Sequence, residues 1–89
     1  MMLSVSHDDV RARLLVTLEG FERGEALPSS FHPVFENAFG VSKGTKLWIG
    51  RGSLDAKDRK TVIAALRRYV KGAKRADLNF LGLHMGLAR

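Results

Sequence analysis

The sequence predicts a small α+β domain that is mainly helical, with three helices and a short two-stranded β-ribbon. Apolar side chains at helical spacing in two stretches of the first half, and in one longer stretch of the second half, indicate the helices. Apolar side chains that alternate within residues 46–49 and 78–81 indicate the ribbon. Since 89 residues suit one domain with one modest core, we expect a single small basic domain over residues 1–89.

The first predicted helix runs from about Asp8 to Arg23. Ser6 is placed to cap it, and Asp9, three residues later, completes a loose capping-box pattern. Gly24 follows as a left-handed stop. The apolar stripe of this helix consists of Val10, Leu14, Leu18 and Phe21.

The second predicted helix is short and rich in phenylalanine. Ser30 is placed to cap it, Pro33 is tolerated in its first turn, and Gly40 ends it. Its apolar positions follow the i, i+3, i+4, i+7, i+8 pattern of one helix face. They are Phe31, Val34, Phe35, Ala38 and Phe39. We expect this face to supply much of the aromatic core.

The segment VSKGTKLWIGRGS differs from its neighbours, because Gly44, Gly50 and Gly52 disfavour a helix. Residues 46–49 are therefore predicted to form a strand. The C-terminal tail allows two interpretations. Residues 78–81 alternate like a strand that pairs with 46–49, whereas Leu83 and Leu87 suit a short helix.

The third predicted helix begins after Ser53 or Asp55 and runs to about Arg75, with Gly72 weakening its end. At about 100° per residue, its apolar side chains fall on one side and its basic side chains in a sector about 120° wide on another. Arg59 lies outside that sector, toward the core. The basic sector contains Lys57, Lys60, Arg67, Arg68, Lys71, Lys74 and Arg75.

The distribution of charge indicates a polyanionic partner for the second half of the chain. Residues 1–42 hold three basic and six acidic side chains, whereas residues 43–75 hold eleven basic and two acidic ones. No acid lies four residues from Arg67, Lys71 or Lys74, so the sector lacks the ion pairs that usually accompany a solvent-exposed helix face. A row of cations about 27 Å long can follow a phosphate backbone. A solvated helix face is the alternative.

Three further cations are candidates for the same interface. Arg51 lies between two glycines, which can let backbone N–H groups and its guanidinium approach one phosphate. The alternative is a turn that simply requires glycine dihedral angles. Lys43 and Lys46 extend the patch, and Trp48 either stacks on an unpaired base or joins the core.

The sequence offers no set of residues that suggests catalysis, a cofactor or a metal. With no cysteine, it has neither a thiol nucleophile nor a thiolate site. GVSKGTK lacks P-loop spacing, and GRGSLD lacks the third glycine of a dinucleotide fingerprint. Three histidines are too scattered for a metal site, and no serine is visibly paired with a base: His7, His32, His84, Ser29, Ser30 and Ser53.

The segment MMLSVSHDDV lacks the basic and apolar regions of a secretory signal, and no apolar run is long enough for a membrane span. We therefore expect a cytoplasmic protein without a membrane partner. The segments KLWIG and ALRRYVKGAKRADL are similar to FinO/ProQ-type RNA chaperones, a resemblance that implies a strand over 46–49 and RNA as ligand. Two elements of that family have no counterpart here, namely the helix between those segments and the tyrosine- and tryptophan-bearing segment after them. The chain is not assigned to the family.

These observations favour a non-catalytic accessory or regulatory protein that binds RNA or DNA through a basic helix face. The alternative is a small protein-binding inhibitor or adaptor of mobile-element origin, from a phage or plasmid, that occludes a partner surface. Such a protein would dock its basic face on an acidic protein surface, or use the apolar tail LNFLGLHMGL, which also allows a homodimer. Burial of that tail favours nucleic acid, and its exposure favours a protein partner.

Overall fold

The computed structural model describes residues 5–87, which form five α-helices joined by short connections. These are α1 (His7–Glu22), α2 (His32–Phe39), α3 (Val41–Gly50), α4 (Ala56–Gly72) and α5 (Arg75–His84). Short 3-10 turns precede α2 at Ser29–Phe31 and α4 at Arg51–Ser53. Because residues 5–87 contain no β-strand, the prediction of an α+β fold with a ribbon is wrong, and this part of the chain is all-helical.

The helices enclose one core, in which α1 packs against α4 and α5, and α2 packs against α3 and α4. Full burial of one large apolar side chain stabilises the fold by roughly 1.5–3 kcal/mol. Phe39, which was predicted in the aromatic core, and Tyr69 of α4 are only partly buried at the edge of the core. The largest buried side chains are Phe31, Phe35, Leu14, Leu18, Ile63, Leu66, Leu78 and Leu81.

The ends of α1 agree with the sequence prediction. The hydroxyl of Ser6 accepts a hydrogen bond from the backbone N–H of Asp9 at 3.2 Å. At the other end Gly24 has a φ of 100°, and the N–H of Glu25 donates to the carbonyl of Gly20 at 3.0 Å. The predicted cap of the second helix is wrong, because α2 follows a 3-10 turn and its N-terminus has no side-chain cap.

Residues 46–49 belong to α3 rather than to a strand. Gly40, with a φ of 89°, separates α2 from α3 and allows the two helices to fold back on each other. Gly44 lies against α2, where an added Cβ would lie 2.5 Å from the carbonyl oxygen of Phe35. Together with Leu47 and Trp48, Gly44 has the i, i+3, i+4 spacing of a packed helix face. This close packing offsets the low helix propensity of glycine, which led to the wrong prediction.

Residues 78–81 belong to α5, so neither strand of the predicted ribbon exists. Leu78, Leu81 and Gly82 are buried, which is again the i, i+3, i+4 spacing of a helix face. Phe80 and Leu83 lie toward solvent. The alternative prediction of a short helix in the tail is therefore the better one over Arg75–His84.

The third predicted helix ends about three residues earlier than expected, because α4 ends at Gly72, the glycine that was predicted to weaken its end. Ala73 is extended, with φ −64° and ψ 135°, and Lys74 is the N-cap of α5. From α1, the guanidinium of Arg11 donates to the carbonyl oxygens of Val70 at 3.2 Å and of Ala73 at 2.8 Å. These hydrogen bonds satisfy carbonyls left open at the end of α4, and the sequence alone gave no indication of them.

None of the helices described within residues 5–87 combines the length and the hydrophobicity that crossing a bilayer requires. The interpretation of the N-terminal segment as lacking a secretory signal depends partly on residues 1–4. Those residues lie outside the described part of the chain.

Candidate nucleic-acid interface

Four exposed cations lie along one side of α4: Lys57, Lys60, Arg68 and Lys71. We call them the α4 basic row. Counted from Lys57, they fall between about 300° and 20° around the helix axis, and exposed Ala64 lies among them. The row is about 21 Å long, at about 1.5 Å per residue. The opposite side of α4 is buried and consists of Val62, Ile63, Leu66 and Val70.

The α4 basic row has no acidic partner within residues 5–87. None of its four side chains forms an ion pair or a hydrogen bond with another described residue. The nearest acids along the chain serve the start of the helix, where the Asp55 carboxylate accepts the N–H of Asp58 at 2.7 Å. Asp58 also lies where the positive end of the helix dipole favours an acid. The row therefore presents positive charge over its whole length.

Arg67 does not belong to this unpaired set. Its Nη2 lies 3.2 Å from Oε2 of Glu22, at the end of α1. The sequence prediction concerned pairs one turn apart on the same helix. This pair instead joins two helices, because α1 packs beside α4 and brings an acid to the edge of the sector. Both side chains are more than a third exposed, at 36% and 41%, so the pair contributes only about 0–1 kcal/mol to stability.

Lys74 and Arg75 lie beyond the end of α4. Both are exposed, but Lys74 precedes α5 and Arg75 is its first residue, so the helical geometry that placed them in the sector does not apply. They follow Lys71 closely along the chain and adjoin the C-terminal end of the α4 basic row. Arg75 also lines a cleft of about 360 Å³ together with His7 and Arg11.

Lys43 and Lys46 lie on a different helix from the α4 basic row. Both are exposed on α3, whose main contacts are with α2. The ammonium group of Lys43 lies 5.7 Å from the ring centroid of Phe39. α2 contacts both α3 and α4, whereas α3 is not among the main neighbours of α4, and the extension of the patch by these two lysines stays a prediction.

Arg51 and Trp48 contact each other and do not form an open binding loop. The Arg51 guanidinium lies 3.6 Å from the centroid of the Trp48 ring and donates to the Trp48 carbonyl. The same ring is stacked on His32, with centroids 5.5 Å apart, and meets Phe35 edge-on. The Trp48 ring therefore packs against side chains of the protein itself, as the second of the two predicted roles requires. Gly50 and Gly52, the glycines beside Arg51, have negative φ values that other residues can also adopt. Neither the predicted approach of backbone N–H groups to a phosphate nor the predicted special turn therefore requires glycine at these positions.

The histidines do not come together, and residues 5–87 contain no group of three or more acidic or histidine side chains placed to hold a metal ion. His7 is hydrogen-bonded to Asn79 at 2.7 Å, and His32 lies 2.8 Å from the carboxylate of Glu36. His84 packs edge-on against Phe80, with ring centroids 4.4 Å apart. Each histidine thus has its own local partner.

The apolar tail is divided between the core and the surface. Leu78 and Leu81 are buried, whereas Phe80 is 46% and Leu83 is 40% exposed. Phe80, Leu83 and His84 line a shallow depression of about 220 Å³. The sequence analysis predicted that a buried tail favours nucleic acid and an exposed tail a protein partner. Burial of Leu78 and Leu81 therefore favours nucleic acid, while exposure of Phe80 and Leu83 keeps a protein partner as an alternative.

No protein-family model, curated protein or solved structure matches this chain. The resemblance to FinO/ProQ-type RNA chaperones also loses its structural basis, because the strand that it implies over 46–49 is part of α3. A function for this chain must therefore be inferred from the placement of its own side chains.

Proposed function

We propose that the protein binds nucleic acid without catalysing a reaction, and that the α4 basic row contacts the phosphate backbone. The observation that carries this proposal is the row itself, with four exposed cations on one side of one helix and no acidic partner among the described residues. Its length of about 21 Å equals the rise along the duplex axis of about six phosphates of one strand of DNA. Lys74 and Arg75 add positive charge at its C-terminal end.

Such contacts provide affinity that depends strongly on salt and little on base sequence. Each phosphate that a lysine or arginine neutralises releases condensed counterions. Four contacts correspond to a slope of log K against log salt of about −3.6 for duplex DNA and about −2.8 for a single strand. For a known nucleic acid, the measured slope therefore reports the number of contacts.

The first test reverses two charges of the row, in the variant Lys60→Glu with Lys71→Glu. Binding to random RNA and to duplex DNA is measured by fluorescence anisotropy at several salt concentrations. We expect weaker binding and a salt slope that is less steep by about 2. The matched control is Arg13→Glu with Arg23→Glu, which changes the net charge equally at exposed positions in α1 and directly after it. Equal losses in both variants would show that net charge, and not the row, determines binding.

A second variant separates binding from folding. Ala64→Glu places a carboxylate in the middle of the row, one turn from Lys60 and from Arg68. Each new pair should stabilise the helix by about 0.2–0.5 kcal/mol, while the same carboxylate repels phosphate. We therefore expect Ala64→Glu to fold at least as stably as the wild type and to bind nucleic acid more weakly. Undiminished affinity in this variant would contradict the proposed interface.

The exposed surface of α5 supports a second candidate function, that of a protein-binding inhibitor or adaptor that occludes its partner. Its basis is the exposure of Phe80 and Leu83 on neighbouring turns of α5. A wild-type protein that binds neither RNA nor DNA at low salt, but self-associates or binds a protein in a way that Phe80→Ser abolishes, would favour this function. Nucleic-acid binding that Phe80→Ser leaves unchanged would favour the α4 basic row.

A further inference from the structure

A cleft of about 420 Å³ lies where the end of α1, the connection to α2 and the start of α4 meet. Its apolar wall includes Phe21, Leu27 and Ile49, and its polar wall includes Arg51, Arg59 and Glu25. Phe21 and Leu27 are buried side chains of the core, whereas Ile49 is 75% exposed at the rim. The cleft is thus large enough for a small organic molecule and joins an apolar surface to two guanidinium groups.

Arg59 is the unusual member of this wall. Its side chain is half-buried, and its buried Nε has no hydrogen-bond partner among the described residues. Its Nη2 donates only a long hydrogen bond of 3.4 Å, to the Leu54 carbonyl, and its guanidinium lies 5.3 Å from the ring centroid of Phe21. A partly buried charge without an acidic partner is costly, and a bound anion would offset that cost.

The second guanidinium adds to the positive charge of the cleft. Arg51 uses one nitrogen on the Trp48 carbonyl and has no ion-pair partner in the described part of the chain. The carboxylate of Glu25 is held by Arg23, at 2.9 Å, at the edge of the same cleft. Neither Arg51 nor Arg59 is therefore neutralised by the acid on the wall.

We propose that this cleft binds a phosphate monoester carried by a small organic molecule with an apolar part. A phosphate monoester has nearly two negative charges at neutral pH, which matches the two guanidinium groups of Arg51 and Arg59. Guanidinium groups bind phosphate oxygens through paired N–H donors, and the apolar wall accepts the rest of the ligand. The site is independent of the α4 basic row, because Arg59 lies about 140° around the axis of α4 from the middle of the row.

The test uses phenyl phosphate, with benzoate as the carboxylate counterpart and sodium chloride to keep the ionic strength equal. Binding to the full chain is followed by amide chemical shifts in NMR titrations. We expect phenyl phosphate to shift amides around the cleft, at Gly24, Leu27, Gly52 and Arg59, and to bind more tightly than benzoate. Arg59→Gln and Arg51→Gln should each weaken binding by roughly 10- to 100-fold, because each removes charged hydrogen bonds. Arg13→Gln, an exposed control on α1, should not weaken it.

Several results would overturn the proposal. Shifts centred on Lys60 and Lys71 instead of the cleft would place phosphate on the α4 basic row. Benzoate that binds as tightly as phenyl phosphate would remove the assignment of a phosphate ligand. If Arg59→Gln does not fold, the wild-type shift map and Arg51→Gln decide the question. Wild-type protein without cleft shifts at millimolar phenyl phosphate would refute the site.

Discussion

Gly44→Ala should destabilise the protein, although helix propensity alone predicts the opposite. In an open helix interior this substitution stabilises by about 1 kcal/mol. In α3 the new Cβ would lie 2.5 Å from the Phe35 carbonyl oxygen and 2.7 Å from the Cα of Glu36. Ordinary contacts of a Cβ are 3.4–4 Å, so α2 and α3 must separate by roughly 1 Å. Both obstructing atoms belong to the backbone, and no change of side-chain conformation can relieve the clash.

The expected size follows from these two opposing effects. Overpacking typically costs about 1–3 kcal/mol, and the strong backbone clash places Gly44→Ala in the upper part of that range. After the propensity gain, a net loss of about 1–2 kcal/mol remains, which lowers Tm by about 5–10 °C for a domain of this size. Thermal melts followed by circular dichroism measure it. Gly72→Ala is the matched control, because Gly72 ends α4 and a Cβ added there would meet no neighbouring atom within 4 Å, so it should leave Tm unchanged or raise it. If both variants melt at the same or a higher temperature than the wild type, the close α2–α3 packing described above is wrong.

Two further predictions concern α4. Arg11→Met removes the hydrogen bonds to Val70 and Ala73 and should lower the free energy of unfolding by about 2 kcal/mol in urea titrations, whereas Arg13→Met should change it by less than about 0.5 kcal/mol. Burial and, to a lesser extent, the Asp77 carboxylate raise the pKa of Tyr69 above 10.0, and the neighbouring Asn37 opposes this rise only in part. Because the folded state holds this proton more tightly, the corresponding stability is complete below about pH 10 and is lost as pH rises through the folded pKa. The phenolate absorbance of this sole tyrosine measures the shift directly. Tyr69→Phe removes a buried hydroxyl that lacks a well-formed hydrogen bond, so this variant should be at least as stable as the wild type. Its stability should also fall less as pH rises above about 10. Marked destabilisation would contradict the burial described.

The elements that the sequence predicted well are those whose signals are local. The apolar stripe of α1, its serine cap and its glycine stop are all contained within about 20 residues, and α1 begins and ends within one residue of its predicted bounds. The apolar face of α2 was likewise evident, and Phe31, Val34 and Phe35 are buried. Local patterns suffice where the same residues that form the helix also form its core face.

The elements that the sequence failed to predict depend on contacts between helices. Gly44 is unfavourable for a helix in isolation and favourable only where α2 lies against it. At the end of α4, the Val70 carbonyl accepts a hydrogen bond from Arg11, which lies 59 residues earlier in the chain. The pairing of Arg67 with Glu22 is equally remote in sequence. A helical wheel contains none of this information, because it describes one helix without its neighbours.

The fold itself explains why an acidic first half does not neutralise a basic second half. α1 packs on the buried side of α4, and the α4 basic row lies on the side that faces away from the core. The acids of α1 can therefore reach only the edge of the basic surface, where Glu22 meets Arg67. Within the row, Lys57 and Lys60, and Arg68 and Lys71, are one turn apart and repel each other by a few tenths of a kcal/mol per pair. Packing of Leu66 and Val70 stabilises α4 by much more than this repulsion costs, so the protein can keep the row unpaired. The proposed anionic ligand would account for an unpaired row that costs its own helix stability. Ala64→Glu tests this proposal directly, because it should raise stability while it weakens binding.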